Sequence, residues 1–194
     1  MERLINVVGT RIRVGEDDAA LRWYADHVQQ LLAFPGLHGA ELLRRAGAPQ
    51  AGDAPDMLCL YDFGTPEAFA AYERSEVHAA AARDRMVGWG ADGITITSRV
   101  QYRRCWRVRR DDVPAAGEAA WQVAAWSGAA PPALERQVAA EGLARGVSER
   151  ALLRAVDATT LLLLERGGAG PPPPPEGLRA DWSGRYRPLL TWSR

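Results

Sequence analysis

The stretch MLCLYDFGTPEAF, residues 57–69, changes from a strand pattern to a helix pattern at a single point. Residues 57–63 are almost all apolar, which is typical of a strand covered on both faces. Thr65-Pro66-Glu67 follows. This order favours a helix start, because the hydroxyl can cap the helix, proline fits its first position and the acid meets the helix dipole. The stretch therefore predicts a buried strand followed directly by a helix.

Upstream of this stretch, the pattern predicts a strand, a helix and a second strand. Residues 5–14 are predicted to form a strand, because residues 8–14 alternate with a period of two. Gly15-Glu16-Asp17-Asp18 is predicted to turn the chain and cap a helix, which stops at Phe34-Pro35-Gly36. Residues 37–45 form the second predicted strand, and a Gly/Pro-rich loop at 47–56 connects it to the buried strand.

Downstream, the helix is predicted to restart at Ser75-Glu76 after a kink and to run to about Val87. Asp92-Gly93 is predicted to turn the chain. Apolar and polar side chains then alternate regularly over residues 94–102, which predicts a strand that can continue towards Val108. The order β-α-β-β-α-β is the ferredoxin-like pattern, in which the middle strands form a hairpin and the helices share one face of the sheet.

A second, shorter unit is predicted after a linker at residues 111–118. Ala151-Leu152-Leu153-Arg154 repeats the pattern of Glu41-Leu42-Leu43-Arg44, and each follows a helix stopped by glycine. A chance similarity of short Leu-rich strings is the alternative. The predicted elements are a strand at 121–127, a helix opened by Pro131-Pro132 and stopped by Gly146, strands at 151–156 and 159–165, a Pro/Gly-rich loop at 167–175 and a strand at 186–192.

The predicted fold class is α+β, with two tandem ferredoxin-like halves that form a dimeric α/β-barrel-like unit. The first domain spans residues 1–110 and is complete. The second spans 119–194 and is abbreviated, because a stiff proline-rich loop replaces its second helix. A polyproline ligand is the alternative interpretation of Pro171 to Pro175.

Composition excludes several classes of function. All 24 basic residues are arginine and there are 24 acidic residues, so the formal net charge is zero. Without lysine there is no Schiff base, pyridoxal anchor or P-loop lysine. Zero net charge argues against a nucleic-acid partner. Cys59 and Cys105 are too few for a disulfide framework or a Cys-rich zinc site. No apolar run is long enough to span a membrane, and no signal peptide is apparent, so a cytoplasmic location is expected.

Two stretches carry a family resemblance. They are Pro35 to Leu42, and Tyr61 to Phe69 followed by Tyr72 to His78. The first resembles the segment of a glycine followed by the second strand in the dimeric α/β-barrel superfamily, especially in antibiotic-biosynthesis monooxygenases. The second resembles the third strand and the kinked second helix of the same superfamily. The resemblance covers residues 1 to about 105 and implies two ferredoxin-like sheets packed face to face. These sheets usually come from two subunits. Here they are expected from one chain as an intrachain pseudo-dimer, with a homodimer as the alternative.

The resemblance also implies a function. The expected activity is that of a monooxygenase-like enzyme that needs no cofactor and acts on a small aromatic or polyketide-like molecule. A non-catalytic ligand-binding or assembly protein of the same fold is one alternative, and a haem-binding member is another. A haem needs only one axial histidine, so sequence spacing does not test it.

Three residues are candidates for chemistry. His78 matches a histidine common in relatives, and imidazole can act as acid or base near neutral pH. The alternative is that it packs at the helix kink. Tyr61 and Asp62 are the other two, and they point to opposite faces of their strand. Asp62 is a base if buried, and otherwise it caps the turn at Gly64-Thr65. The predicted pocket-lining residues, with core packing as their alternative role, are Tyr24, Phe69, Tyr72 and Trp89.

The remaining polar patterns predict less specific roles. His27 and His38 are expected at the surface or at its boundary. The three histidines lack metal-ligand spacing, so no metal site is expected. A basic run could bind an anionic group through the arginine fork, although a solvated strand edge is the alternative. This run consists of Arg103, Arg104, Arg107, Arg109 and Arg110.

Overall fold

The fold is taken from a computed structural model of the 194-residue chain. The structure describes residues 3–13, 15–47, 53–110, 120–128, 133–144, 147–157, 159–167, 170 and 173–193.

These residues contain eight strands and four helices, which is an α+β fold as predicted. In chain order the elements are β1 (Leu4–Ile12), α1 (Asp17–Leu32), β2 (Gly39–Arg45), β3 (Met57–Asp62), α2 (Pro66–Glu73), α3 (Glu76–Gly93), β4 (Ile94–Arg109), β5 (Trp121–Ser127), α4 (Leu134–Ala144), β6 (Glu149–Ala155), β7 (Thr160–Arg166) and β8 (Arg179–Ser193).

Local hydrogen bonds explain how the helices begin. The Thr65 side chain accepts from the backbone N–H of Ala68 at 3.2 Å and caps α2. The Ser75 side chain accepts from the backbone N–H of His78 at 3.2 Å and caps α3. The predicted kink is therefore a break between two separately capped helices. The predicted cap of α1 differs, because Glu16 occupies that position and makes no side-chain capping hydrogen bond.

The two largest differences from the sequence-based boundaries are at the end of α3 and at the start of β8. Helix α3 continues to Gly93 in place of the predicted turn at Asp92-Gly93. The Gly93 carbonyl accepts from Arg13 N–H at 3.1 Å, and buried Ile94 starts β4 at the next residue. Strand β8 begins at Arg179 in place of residue 186. Its additional residues pair with β5 in antiparallel register, from Arg179 opposite Ser127 onwards.

The chain divides into two compact units that are not continuous segments. The first unit consists of residues 1–43, 55–101 and 189–194, and the second of 44–54 and 102–188. Strands β4 and β8 each contribute residues to both units. The domain boundaries predicted at residues 110 and 119 stay a prediction, and the linker at 111–118 lies outside the described residues.

The first unit has the strand order β4-β1-β3-β2-β8. Strands β1 and β3 are antiparallel, with Asn6 opposite Tyr61 and Val8 opposite Cys59. One core lies between this sheet and α1, α2 and α3, and Leu189, Leu190 and Trp192 of β8 pack against it.

The second unit has the strand order β8-β5-β7-β6-β4. Strands β5, β6 and β7 are mostly buried, and helix α4 packs Leu134 and Val138 against Trp126 and Leu152. No helix is present among the described residues between β7 and β8. Gly146, Pro131-Pro132 and Pro171-Pro172 lie outside the described residues.

Within the part of the chain that the structure describes, no helix is both long enough and apolar enough to cross a membrane.

Candidate functional site

A cavity of about 270 Å³ lies within the first unit, between the sheet and its helices. Its wall combines aromatic and aliphatic side chains with a small number of polar ones, as is typical of small-molecule sites. The lining residues are Asn6, Val8, Trp23, Tyr24, His27, Leu31, Tyr61, Phe63, Phe69, Tyr72, Glu73, His78, Ala81, Ala82, Arg85, Ile94, Ile96 and Arg99.

Strands β1 and β3 contribute one polar residue each to the cavity wall. Successive strand side chains point to opposite faces, so Asn6 and Val8 of β1 face the helices together. Asn6 pairs directly with Tyr61 of β3. The Asn6 side chain is only 5% exposed, and its Oδ1 has no hydrogen-bond partner among the described residues. A buried acceptor without a partner is costly, so a ligand that donates a hydrogen bond here removes that cost.

Helix α2 and the end of β3 form an aromatic wall. The ring of Phe63 lies 5.1 Å from Phe69, edge to face, and 4.9 Å from Tyr72. Phe34 also approaches Tyr72, at 5.6 Å. Such edge-to-face contacts stabilise a fixed arrangement of rings. The wall is therefore a preformed apolar surface suited to a flat ligand.

His78 lies in the first turn of α3 and lines the cavity. Its Nδ1 is 3.1 Å from the Glu73 carbonyl oxygen, and its ring meets Tyr72 edge to face at 5.0 Å. A carbonyl oxygen only accepts hydrogen bonds, so Nδ1 must donate. In the neutral imidazole, Nε2 then carries the lone pair. His78 therefore has the tautomer of a general base.

His27, on α1, also lines the cavity. Its ring stacks on Trp23 at 4.3 Å, and the Trp23 indole N–H donates to Asp84 Oδ2 at 2.8 Å. His27 Nδ1 lies 3.9 Å from the same carboxylate oxygen, beyond hydrogen-bond range. Desolvation by burial lowers the pKa of His27 to about 4, against the opposing effect of Asp84. This imidazole is therefore neutral at neutral pH.

The low pKa of His27 predicts a pH-dependent stability. The unfolded chain binds a proton on this ring near pH 6.5, whereas the folded chain does so only near pH 4. Between these values the unfolded state holds more protons, so the free energy of unfolding falls as the pH is lowered, by up to about 3 kcal/mol. Urea unfolding between pH 4 and 7 measures this loss. His27→Gln is expected to flatten the dependence, and His38→Gln, at an exposed histidine, is the matched control. An unchanged slope in His27→Gln would contradict the assignment.

The cavity tyrosines are held protonated. Desolvation by burial raises the pKa of Tyr72 to about 12 and raises the pKa values of Tyr24 and Tyr61 well above their ordinary range. The Tyr24 hydroxyl donates to Thr10 Oγ1 at 3.0 Å. These phenols can therefore donate hydrogen bonds but cannot act as bases near neutral pH.

Two arginines reach the cavity, and neither belongs to the predicted basic run. Arg85 of α3 and Arg99 of β4 are both lining residues. The residues of the run, which begins at Arg103, do not line the cavity. Arg107 of that run donates from Nε to Glu149 Oε1 at 2.6 Å in the second unit. Arg107 is therefore engaged in an ion pair on the strand and does not face the cavity.

The structure brings together most of the predicted site residues. Tyr24, Tyr61, Phe69, Tyr72 and His78 all line the cavity. That any of them takes part in a reaction stays a prediction.

Asp62 and Trp89 are not lining residues. Asp62 pairs with Arg3 at 2.8 Å and accepts from Gly64 N–H at 3.1 Å, which matches its turn-capping alternative. The ring of Trp89 packs edge to face against the lining residue Trp23, with the ring centroids 6.2 Å apart.

Asn6 and His27 are site residues that the sequence-based prediction missed. Asn6 interrupts an otherwise apolar strand, LINVV, and that polar position was an available signal. His27 lies three residues after Tyr24 and four before Leu31, on the face of α1 that these buried residues define.

Comparison with known proteins gives matches at the level of structure only. No family model and no curated protein matches the sequence. An anthrone oxidase-like protein has a TM-score of 0.66 at 10% identity, over 99% of this chain and 93% of that one. A proposed monooxygenase from Fusobacterium nucleatum subsp. nucleatum has a TM-score of 0.60 at 7% identity, over 100% and 95%. These neighbours are members of the dimeric α/β-barrel superfamily.

The chain has the dimeric α/β-barrel fold. A third structure of this fold, a proposed chlorite dismutase, matches with a TM-score of 0.54 at 12% identity, over 98% of this chain and 96% of that one. At such low identity the likeness establishes the fold and leaves the reaction to be argued from the site.

Haem does not fit this cavity. His78 could offer Nε2 as an axial ligand. However, about 270 Å³ is below the range of roughly 300–1,000 Å³ that holds drug-sized ligands, and the haem macrocycle is larger than most of these. Among the described residues, no group of three or more His, Cys, Asp or Glu side chains is arranged to hold a metal ion.

Proposed function

We propose that the protein is a monooxygenase-like enzyme that oxidises a small aromatic or polyketide-like molecule in the cavity of the first unit, without a cofactor. The observation that carries this proposal is the His78 imidazole, whose Nδ1 is held by the Glu73 carbonyl and whose Nε2 is left as a base beside an aromatic wall. The names of two neighbours, an anthrone oxidase-like protein and a proposed monooxygenase, agree with this reaction class.

The proposed reaction begins with proton transfer. His78 Nε2 removes a proton from a CH₂ group that lies between aromatic rings, and the resulting substrate carbanion is delocalised into those rings. The carbanion is itself the reductant for O₂, so the protein need not supply electrons. O₂ adds to the carbanion, and the returned proton gives a hydroperoxide. Loss of water then leaves a ketone: R₂CH₂ and O₂ become R₂C=O and H₂O.

The cavity favours the carbanion in two ways. Its apolar walls exclude water, which strengthens each electrostatic interaction inside. Tyr72 and Tyr61 stay protonated because burial raises their pKa values, so their hydroxyl groups can donate to an oxygen that gains negative charge. The base and the hydrogen-bond donors thus have separate roles.

The test is oxygen uptake with anthrone as the probe, using purified full-length chain that has been dialysed against a chelator. We expect consumption of one O₂ for each quinone formed, at a rate proportional to protein concentration. A reaction without protein measures the uncatalysed oxidation. A rate equal to that background, despite measurable binding of the probe, would favour the alternative of a non-catalytic ligand-binding protein.

We further propose that the two predicted halves are tandem copies of the ferredoxin-like unit that this superfamily pairs. Strands β1 to β4 follow the order β4-β1-β3-β2, and β5 to β8 follow the corresponding order β8-β5-β7-β6. This equivalence supports an intrachain pseudo-dimer, with a homodimer as the alternative.

A further inference from the structure

The cavity contains more positive than negative charge. Arg85 and Arg99 line it together with one carboxylate, that of Glu73. Of the two histidines in the wall, His27 is neutral at neutral pH because burial lowers its pKa. The lining therefore has an excess of one positive charge that the side chains of the wall do not balance.

Neither arginine forms an ion pair with a carboxylate of the described residues. Arg85 donates a hydrogen bond to the Met86 sulfur at 3.5 Å, and a thioether sulfur is a weak acceptor. By contrast, Arg83 on the same helix pairs with Glu76. The two cavity arginines thus have their guanidinium groups available for a ligand.

The positive charges act on the interior of the cavity. Arg85 lowers the pKa values of Tyr24 and His27, although burial is the main influence on both groups. Arg99 likewise acts on the pKa of Tyr72. Both effects favour a negative charge close to the aromatic rings.

We propose that the natural ligand is an aromatic carboxylate, with its rings on the Phe63, Phe69 and Tyr72 wall and its carboxylate on Arg85 and Arg99. Guanidinium groups suit this role because their planar N–H fork matches the two oxygens of a carboxylate. The inference rests on the proposed function, in that it names the substrate class of the same cavity.

The test compares the binding of two probes, 2-naphthoate and 2-naphthamide, which share rings and size and differ in charge. Titration calorimetry with the full chain is expected to show about tenfold tighter binding of naphthoate, as for a charge-assisted hydrogen bond. This preference should shrink at high salt, because one part of it is screened Coulomb attraction.

Variants identify the groups responsible. Arg85→Gln and Arg99→Gln are each expected to weaken naphthoate binding about five- to tenfold and to leave naphthamide binding within about twofold. Naphthamide binding thus also reports that each variant is folded. Arg83→Gln, which removes the same charge from the same helix outside the cavity, should change neither affinity.

The outcomes separate this inference from the proposed function. Equal binding of the two probes, or an unchanged preference in both cavity variants, would overturn the carboxylate assignment while the cavity remained an aromatic site. Binding of neither probe would overturn both proposals.

Discussion

Replacing His78 by glutamine is expected to lower the turnover of the anthrone assay by about 10²- to 10⁴-fold, the usual contribution of a positioned general base. Glutamine keeps a similar size and a polar end, and it preserves the Ser75 cap, which uses only the His78 backbone N–H. It lacks the Nε2 atom that remains available as a base when Nδ1 of the wild-type side chain donates to the Glu73 carbonyl. Probe affinity should change little, because the lost group acts on the proton and not on the rings.

The controls distinguish catalysis from packing. His38→Gln changes an exposed histidine that does not line the cavity, so its turnover should match that of the wild type. Free imidazole added to the His78→Gln variant is expected to restore part of the activity, because it can enter the cavity and replace the lost imidazole side chain as the base. Retention of full turnover by His78→Gln would assign this histidine to the helix junction alone.

Replacing Arg150 by methionine is expected to destabilise the protein by about 3–5 kcal/mol, because breaking a buried ion pair leaves an uncompensated charge. The Arg150 side chain is 3% exposed and that of Glu165 is 0% exposed. Their Nη2 and Oε1 atoms are 2.6 Å apart, in directly opposed positions of β6 and β7. The free energy of unfolding in urea, followed by tryptophan fluorescence, measures this loss.

Two further variants isolate the charge effect. The double replacement of Arg150 by methionine and Glu165 by leucine removes both charges, so it should recover most of the lost stability. Arg154 lies on the same strand as Arg150 and forms a more exposed pair with Glu135 of α4, so Arg154→Met should cost about 1 kcal/mol or less. An equally small loss in Arg150→Met would show that the buried pair is readily replaced by solvent.

The fold was predictable where local patterns and tertiary packing agree. Strand β5 has the predicted limits, Trp121–Ser127, because its apolar side chains are buried by neighbours on both sides of the strand. Strand β8 was predicted too short. Its first part contains Arg179, Asp181 and Gly184, which are poor strand signals, and its pairing with β5 defines it.

The candidate site was predictable in its aromatic residues and less so in its polar ones. Tyr61, Tyr72 and His78 lie on the successive elements β3, α2 and α3, which the local pattern predicts, and all three line the cavity. Asn6 and His27 carried only weak local signals, namely a polar residue within an apolar strand and a position on the buried face of α1, and their place in the cavity wall comes from the tertiary fold. Arg85 and Arg99 belong to different elements, α3 and β4, and the fold of the first unit brings both to the cavity wall.

In the proposed mechanism the cavity itself, with His78 as base, suffices for reaction with O₂. The most direct measurement is a single-turnover reaction in which chelator-treated, full-length protein in excess is mixed with anthrone in oxygenated buffer, and the quinone is followed by absorbance. We predict quinone formation in one kinetic phase, much faster than without protein, and a rate near background in His78→Gln. Quinone formation at the background rate in the wild type, or only after iron or flavin is added, would contradict the claim.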